Sequence, residues 1–155
     1  MQTAEALSDY ERERGKPMPS KNHSFVQFRL VVALSRYSAD YSILPELSLE
    51  LDGRTLVPDI SVFHKDAPDW RHDEIRVEEA PLLAIEILSP RQAMQDLAEK
   101  FEAYFAAGVK ACWLVQPMLK TIAVFAPESD VRVHTEGVVK DPETGIEVAL
   151  EEIFG

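Results

Sequence analysis

Two carboxylates in this 155-residue chain stand where carboxylates are costly. Glu86 interrupts the apolar run LLAIEIL (82–88), and Asp59 is the lone charge in VPDISVF (57–63). A bare carboxylate in such a setting must be paired, protonated or placed against a cation. Each has an ordinary reading: Glu86 as an edge residue or the partner of a core arginine, Asp59 as a turn or bulge residue that bonds local backbone. Together, on two buried strands, they could converge on one hard cation, because Mg2+ prefers oxygen ligands and keeps several waters. Lys100 is the third candidate. It stands in line with Ala93, Leu97 and Tyr104 at the border of an apolar stripe, with Asp96 one turn earlier. Either it forms a surface i,i+4 pair with Asp96, or its ammonium reaches the end of the Glu86 strand to stabilise negative charge or activate a water.

The elements that must position these residues follow from the pattern. Pro17 and Pro19 stop any helix, so residues 1–19 read as a polar lead segment and 20–155 as a single domain. Ser20 or Asn22 offers an N-cap. From there HSFVQFRLVVALSRYSA predicts a mostly buried helix, with Phe25, Phe28, Val32 and Ser35 on one face and Val26, Leu30, Val31 and Leu34 close by. Tyr41 to Leu51 alternates as one strand, and Asp52-Gly53 signals a hairpin into RTLVPDISVF, where Pro58 implies an edge or a bulge. Residues 64–81 read as a long polar loop and 82–88 as a buried strand ended by Pro90. A helix is expected from Arg91 to Ala107, closed by Gly108. KACWLVQ and KTIAVFA read as strands joined at Pro117, followed by VRVHT and a C-terminal IEVALEEIF. The expected class is α/β or α+β, a mixed sheet flanked by helices.

Composition bounds the rest. Hydrophobic residues at 46% and charged residues at 28% exclude disorder for the bulk of the chain. A single cysteine excludes an internal disulfide framework and suits a reducing cytoplasm, and no apolar run is long enough to span a bilayer. The net charge of −11 disfavours nonspecific binding to nucleic acid, which draws on Lys and Arg. The acidity falls after residue 40, because residues 1–40 carry six basic and five acidic groups. A divalent metal would offset part of the repulsion locally.

Other candidates carry less. Glu46, opposite the apolar face of its strand, is a supplementary acid or a solvated residue, and His23 contacts phosphate, a metal or its own helix start. His64, His72 and His134 lack ligand spacing, Cys112 reads as core, and Trp70 and Trp113 read as packing residues. Phosphate-binding glycine loops and serine-nucleophile motifs are absent.

Pro58-Asp59 followed by Glu86-Ile87-Leu88 resembles the PD-(D/E)xK signature of restriction-endonuclease-like nucleases, with leucine where lysine is expected. EILSP, then Asp96, Lys100, Tyr104, Gly108 and Val109 at their spacing, then CWLVQP, is similar to the bacterial Uma2 family of putative restriction endonucleases. PELSLEL, PDISVF and the C-terminal EEIF fit as well, over roughly residues 20–155. ERERGKPMPS does not match the family's N-terminal Y-E-L-x-x-G pattern, and Cys112 and Gln116 replace a frequent aromatic and a frequent Asp. The resemblance implies a restriction-endonuclease-like mixed sheet. It also implies Mg2+ or Mn2+ held by Asp59, Glu86 and the Ile87 carbonyl, with Lys100 replacing the strand lysine. Glu46, Asp96, His23 and Tyr104 would be accessory. The implied activity is cleavage of DNA phosphodiesters, and the apolar hairpin and first helix could support a homodimer with two sites facing a duplex, in the cytoplasm that the composition suggests. The alternatives are a catalytically inactive module of the same fold, binding nucleic acid or a protein partner, and a hydrolase of smaller phosphate esters.

Overall fold

A computed structural model describes residues 8–155, apart from the side chain of Glu13. The first seven residues of the expected lead segment lie outside that range. Two helices open the described chain, α1 (Asp9–Arg14) and α2 (Lys21–Leu34). Five strands follow: β1 (Tyr41–Pro45), β2 (Leu49–Leu51), β3 (Arg54–Leu56), β4 (Ile60–His64) and β5 (Leu83–Ile87). Helix α3 (Met94–Ala106) leads to β6 (Ala111–Gln116), β7 (Thr121–Phe125) and β8 (Arg132–His134). The chain ends with β9 (Val138–Lys140), β10 (Glu147–Ala149) and α4 (Leu150–Phe154).

The main sheet has the order β1-β4-β5-β6-β7-β8. Every pairing in it is antiparallel except β5–β6. A parallel pair needs a crossover, and α3 supplies it. Alternation along the central strands splits the core between the two faces. Ile60 and Val62 of β4 and Leu83, Ile85 and Ile87 of β5 pack with α2 and α4 on one face. Phe63 and Ala84 pack with Leu97, Phe101 and Tyr104 of α3 on the other. Glu86 shares parity with Ala84, so it points toward α3.

Three expectations need correcting. The buried face of α2 is His23, Val26, Leu30, Ala33 and Leu34, whereas Phe25, Phe28 and Val32 are exposed. The aromatic residues misled because they are large, while the sheet contacts the stripe at 3–4 residue spacing beside them. The strand expected over 41–51 is two strands, broken at Glu46, whose φ is +55. Likewise RTLVPDISVF divides at Val57-Pro58-Asp59, so that β3 pairs with β2 while β4 joins the main sheet. Proline cannot donate a ladder bond, which is why the strand is interrupted there.

The C-terminal pair β9–β10 is tied to the sheet through a polar contact inside the core. Trp113 Nε1–H donates to Asp141 Oδ1 at 3.2 Å, and both residues are fully buried. Trp113→Phe removes the donor and leaves the space of the lost ring, so stability should fall by at least about 1–3 kcal/mol. The check is the urea midpoint at unchanged slope.

Candidate active site

Carrying the β4–β5 register one pair beyond Ile60–Ile85 sets Asp59 beside Glu86, and a further step sets Pro58 beside Ile87. Strand geometry therefore brings the two acids together. Both are completely buried. The Ile87 N–H, without a partner on the ladder, donates to Asp59 Oδ2 at 2.6 Å. Pro58 has no N–H, so the Ile87 carbonyl receives no ladder bond from that position.

The remaining carboxylate oxygens are met from three directions. From α3, Lys100 Nζ lies 2.7 Å from Glu86 Oε1, and the Tyr104 hydroxyl donates to the same oxygen at 2.8 Å. Lys100 also donates to the Val57 carbonyl at 3.3 Å. It occupies the buried stripe Leu97, Lys100, Phe101, Tyr104. From α2, His23 Nε2 lies 3.0 Å from Asp59 Oδ1, and because a carboxylate only accepts, the imidazole carries its proton there. From the N-terminal segment, Lys16 Nζ lies 2.5 Å from Asp59 Oδ1 and 3.7 Å from Glu86 Oε2. Arg14 pairs with Glu46 at 2.6 Å and stands 3.8 Å from Asp59. Gln27 donates to Glu46 Oε1 and to the Asp59 carbonyl, each at 2.9 Å.

These contacts set the protonation of the cluster. Burial pushes the Asp59 carboxyl up, but the His23 bond, the Lys16 and His23 charges and the Ile87 N–H outweigh it and hold its pKa far below the usual carboxylate range. Burial opposes the Lys16 ammonium, yet the charges of Glu86, Asp59 and Glu46 prevail and raise its pKa. For Lys100 burial prevails over the attraction of Glu86, and its pKa is lowered. Burial, then the Glu86 charge, raises the Tyr104 hydroxyl well above its ordinary value, so it stays a donor.

The profile of the Uma2 family, described as "Putative restriction endonuclease", matches residues 5–153. The chain belongs to this family. Among solved structures, a putative nuclease of the DUF820 group from Anabaena variabilis ATCC 29413 is similar at a TM-score of 0.78 and 24% identity. The match covers 89% of this chain and 83% of that one, and it shows the shared fold. The curated proteins gave no match.

In the Uma2 protein the three leading candidates, Asp59, Glu86 and Lys100, meet at one place. Tyr104 and His23 join them, while Glu46 lies at the rim on Arg14. Of the two readings of Lys100, the surface pair with Asp96 does not form: Lys100 is buried on Glu86, and Asp96 is exposed outside the cluster. Sequence reasoning missed Lys16 and Arg14, taken as part of a polar arm. A signal was present. Ser8 and Glu11 form a capping box, and Gly15, at φ +70, ends the helix in the left-handed region. That turn carries Lys16 back toward the sheet.

No group of three His, Cys, Asp or Glu side chains placed to hold a metal occurs among the described residues. The donors nevertheless fit a hard divalent ion. Mg2+ commonly takes one or two carboxylates and leaves the rest of its shell to water and substrate. Glu86 Oε2 is buried without a hydrogen-bond partner, the unmet acceptor such an ion would satisfy.

Asp59 ties the site to stability. A carboxyl whose folded pKa is depressed contributes stability that is present above its unfolded pKa, about 3.9, and is lost as pH falls toward the folded value. Asp59→Asn should therefore destabilise most at neutral pH, and the gap to the parent should narrow below about pH 4. Urea titrations at pH 7 and pH 3 measure it, and a constant gap would contradict the assignment.

Proposed function

We propose that this Uma2 protein is a divalent-metal-dependent endonuclease that hydrolyses DNA phosphodiester bonds at Asp59 and Glu86. The observation that carries the reading is two fully buried carboxylates on adjoining strand ends, one of them held by a buried helix lysine. As pure structure this is uneconomical, because apolar residues of similar volume often stabilise a core as well or better. Family membership supports the same class of activity.

Asp59, Glu86 and the Ile87 carbonyl would hold Mg2+ or Mn2+, which supplies Lewis-acid polarisation of the phosphoryl group and a water acidic enough to attack at neutral pH. The protein's own groups do the positioning. Tyr104 and Lys100 fix Glu86 Oε1, leaving Oε2 free to ligate. His23 and the Ile87 N–H fix Asp59. Lys100 is the charge that stabilises the developing negative charge on the phosphoryl oxygens. A cytoplasmic homodimer facing a duplex with two such sites completes the proposal. No helix among the described residues is long and apolar enough to cross a membrane.

The burial of the carboxylates and their internal pairing favour a second reading, a binding module that keeps an inherited site without using it. Supercoiled plasmid decides between the two. The parent should nick it with Mn2+ and not with chelator, and Glu86→Gln should lower the rate by about 100-fold or more. A folded parent that leaves the plasmid intact in Mn2+ would establish the module.

A further inference from the structure

The oxygens of Asp59 and Glu86 are not equally committed. Asp59 Oδ2 is taken by the Ile87 N–H, and Glu86 Oε1 by Lys100 and Tyr104. Glu86 Oε2 has no hydrogen-bond partner, and Asp59 Oδ1, which accepts from His23 Nε2 at 3.0 Å, is the neighbouring oxygen that faces the same cation. Lys16 Nζ lies against both, at 2.5 and 3.7 Å. We propose that Lys16 is the resident cation of the site: its ammonium holds the position of the divalent ion, so metal binding requires Lys16 to leave, and Lys16 sets the metal affinity. The inference rests on reading Asp59 and Glu86 as metal ligands.

An ammonium and a divalent ion cannot share this place, since like charges a few ångströms apart repel strongly where water is excluded. The two lysines differ in their freedom to move. Lys100 rides on α3, which is anchored by the buried Leu97, Phe101 and Tyr104. Lys16 rides on a segment with no such anchor. Among described residues 8–19 the buried side chains are Glu11, Arg14 and Lys16, whereas Tyr10 and Met18 are about half exposed. The segment is held to the body by polar contacts, Arg14 to Glu46 and Asp59, Lys16 to Asp59 and Arg91 to Glu11, and the Met18 N–H bond to Glu11 Oε2 ties the segment to itself. It can lift without opening the apolar core. With the segment seated, Asp59 and Glu86 are sealed from solvent, so its lifting is also what admits a phosphodiester.

Titration calorimetry with Mn2+ alone tests this on the parent, Lys16→Gln and Lys16→Arg, with the Asp59→Asn, Glu86→Gln double variant as the site control. Lys16→Gln should bind Mn2+ about tenfold or more tighter than the parent, and Lys16→Arg, which keeps the charge, no tighter. Equal or weaker binding by a folded Lys16→Gln would overturn the inference and leave the metal reading standing. Absence of Mn2+ binding in the parent and both variants would remove both, as would binding that persists in the double variant. Should Lys16→Gln fail to fold, the parent still provides a measure. Acetylation of Lys16 by acetic anhydride, read by mass spectrometry, should rise several-fold with saturating Mn2+, and an unchanged yield would overturn the inference.

Discussion

Two carboxylates on adjoining strands in the dry interior of a sheet are the constraint to which much of this molecule answers. In water Asp59 and Glu86 would be solvated separately. In the fold the β4–β5 register places them side by side where each needs a donor or a cation for every oxygen. The compensation is distributed over the chain. The ladder ends opposite Pro58, which has no N–H to give the Ile87 carbonyl, and the Ile87 N–H donates to Asp59. A lysine enters the buried stripe of α3, and the N-terminal segment turns back to deliver a second lysine and an arginine. Removing one partner strands the others, because breaking a buried pair costs more than never having built it.

The compensation is also lopsided. On the α3 side Lys100 and Tyr104 sit among apolar neighbours that fix their place, and a single Glu86 oxygen takes both. On the opposite side the contacts are polar: His23 and Gln27 come from α2, while Arg14 and Lys16 come from the short, separately capped α1 and the turn after it. Glu46 belongs to that side. Its left-handed backbone turns the chain between β1 and β2 and sets its carboxylate between Arg14 and Gln27. A non-glycine residue in that conformation is uncommon and persists where its surroundings over-determine it, here through two side-chain partners and its own N–H on the Asp59 carbonyl.

Much of this was legible in the sequence. An isolated acid in an apolar run announces a compensated site wherever the run is buried, which is why Asp59 and Glu86 could be singled out. Parity placed residue 88 on the Glu86 face, and the resemblance, which expects a lysine there, pointed to the neighbouring helix as its source. What could not be read came from long-range pairing. Local pattern does not tell that Tyr41–Leu51 breaks between two sheets, because alternation continues across the turn at Glu46. Nor does it tell that Arg14 and Lys16 of a polar N-terminal stretch are buried, since their charges are satisfied by acids 32 to 70 residues away. Phe25, Phe28 and Val32 show the converse: apolar size suggests burial, but helix phase decides it.

The acidic body and the proposed polyanionic substrate are reconciled at the scale of the site rather than of the molecule. Arg14, Lys16 and Lys100 face Glu46, Asp59 and Glu86, three cations for three carboxylates before His23 is counted, within a chain of net charge −11. The acidic excess lies after residue 40, while α1 and α2, which border the cluster, come from the near-neutral stretch. The proposed exchange of the Lys16 ammonium for a divalent ion would raise the charge at the carboxylates by one unit and leave an ammonium beside them. Both changes would favour a phosphate at the opened site. Long-range repulsion is screened beyond roughly 8–10 Å at physiological ionic strength, so this local balance governs approach to the carboxylates more than the sum over the surface.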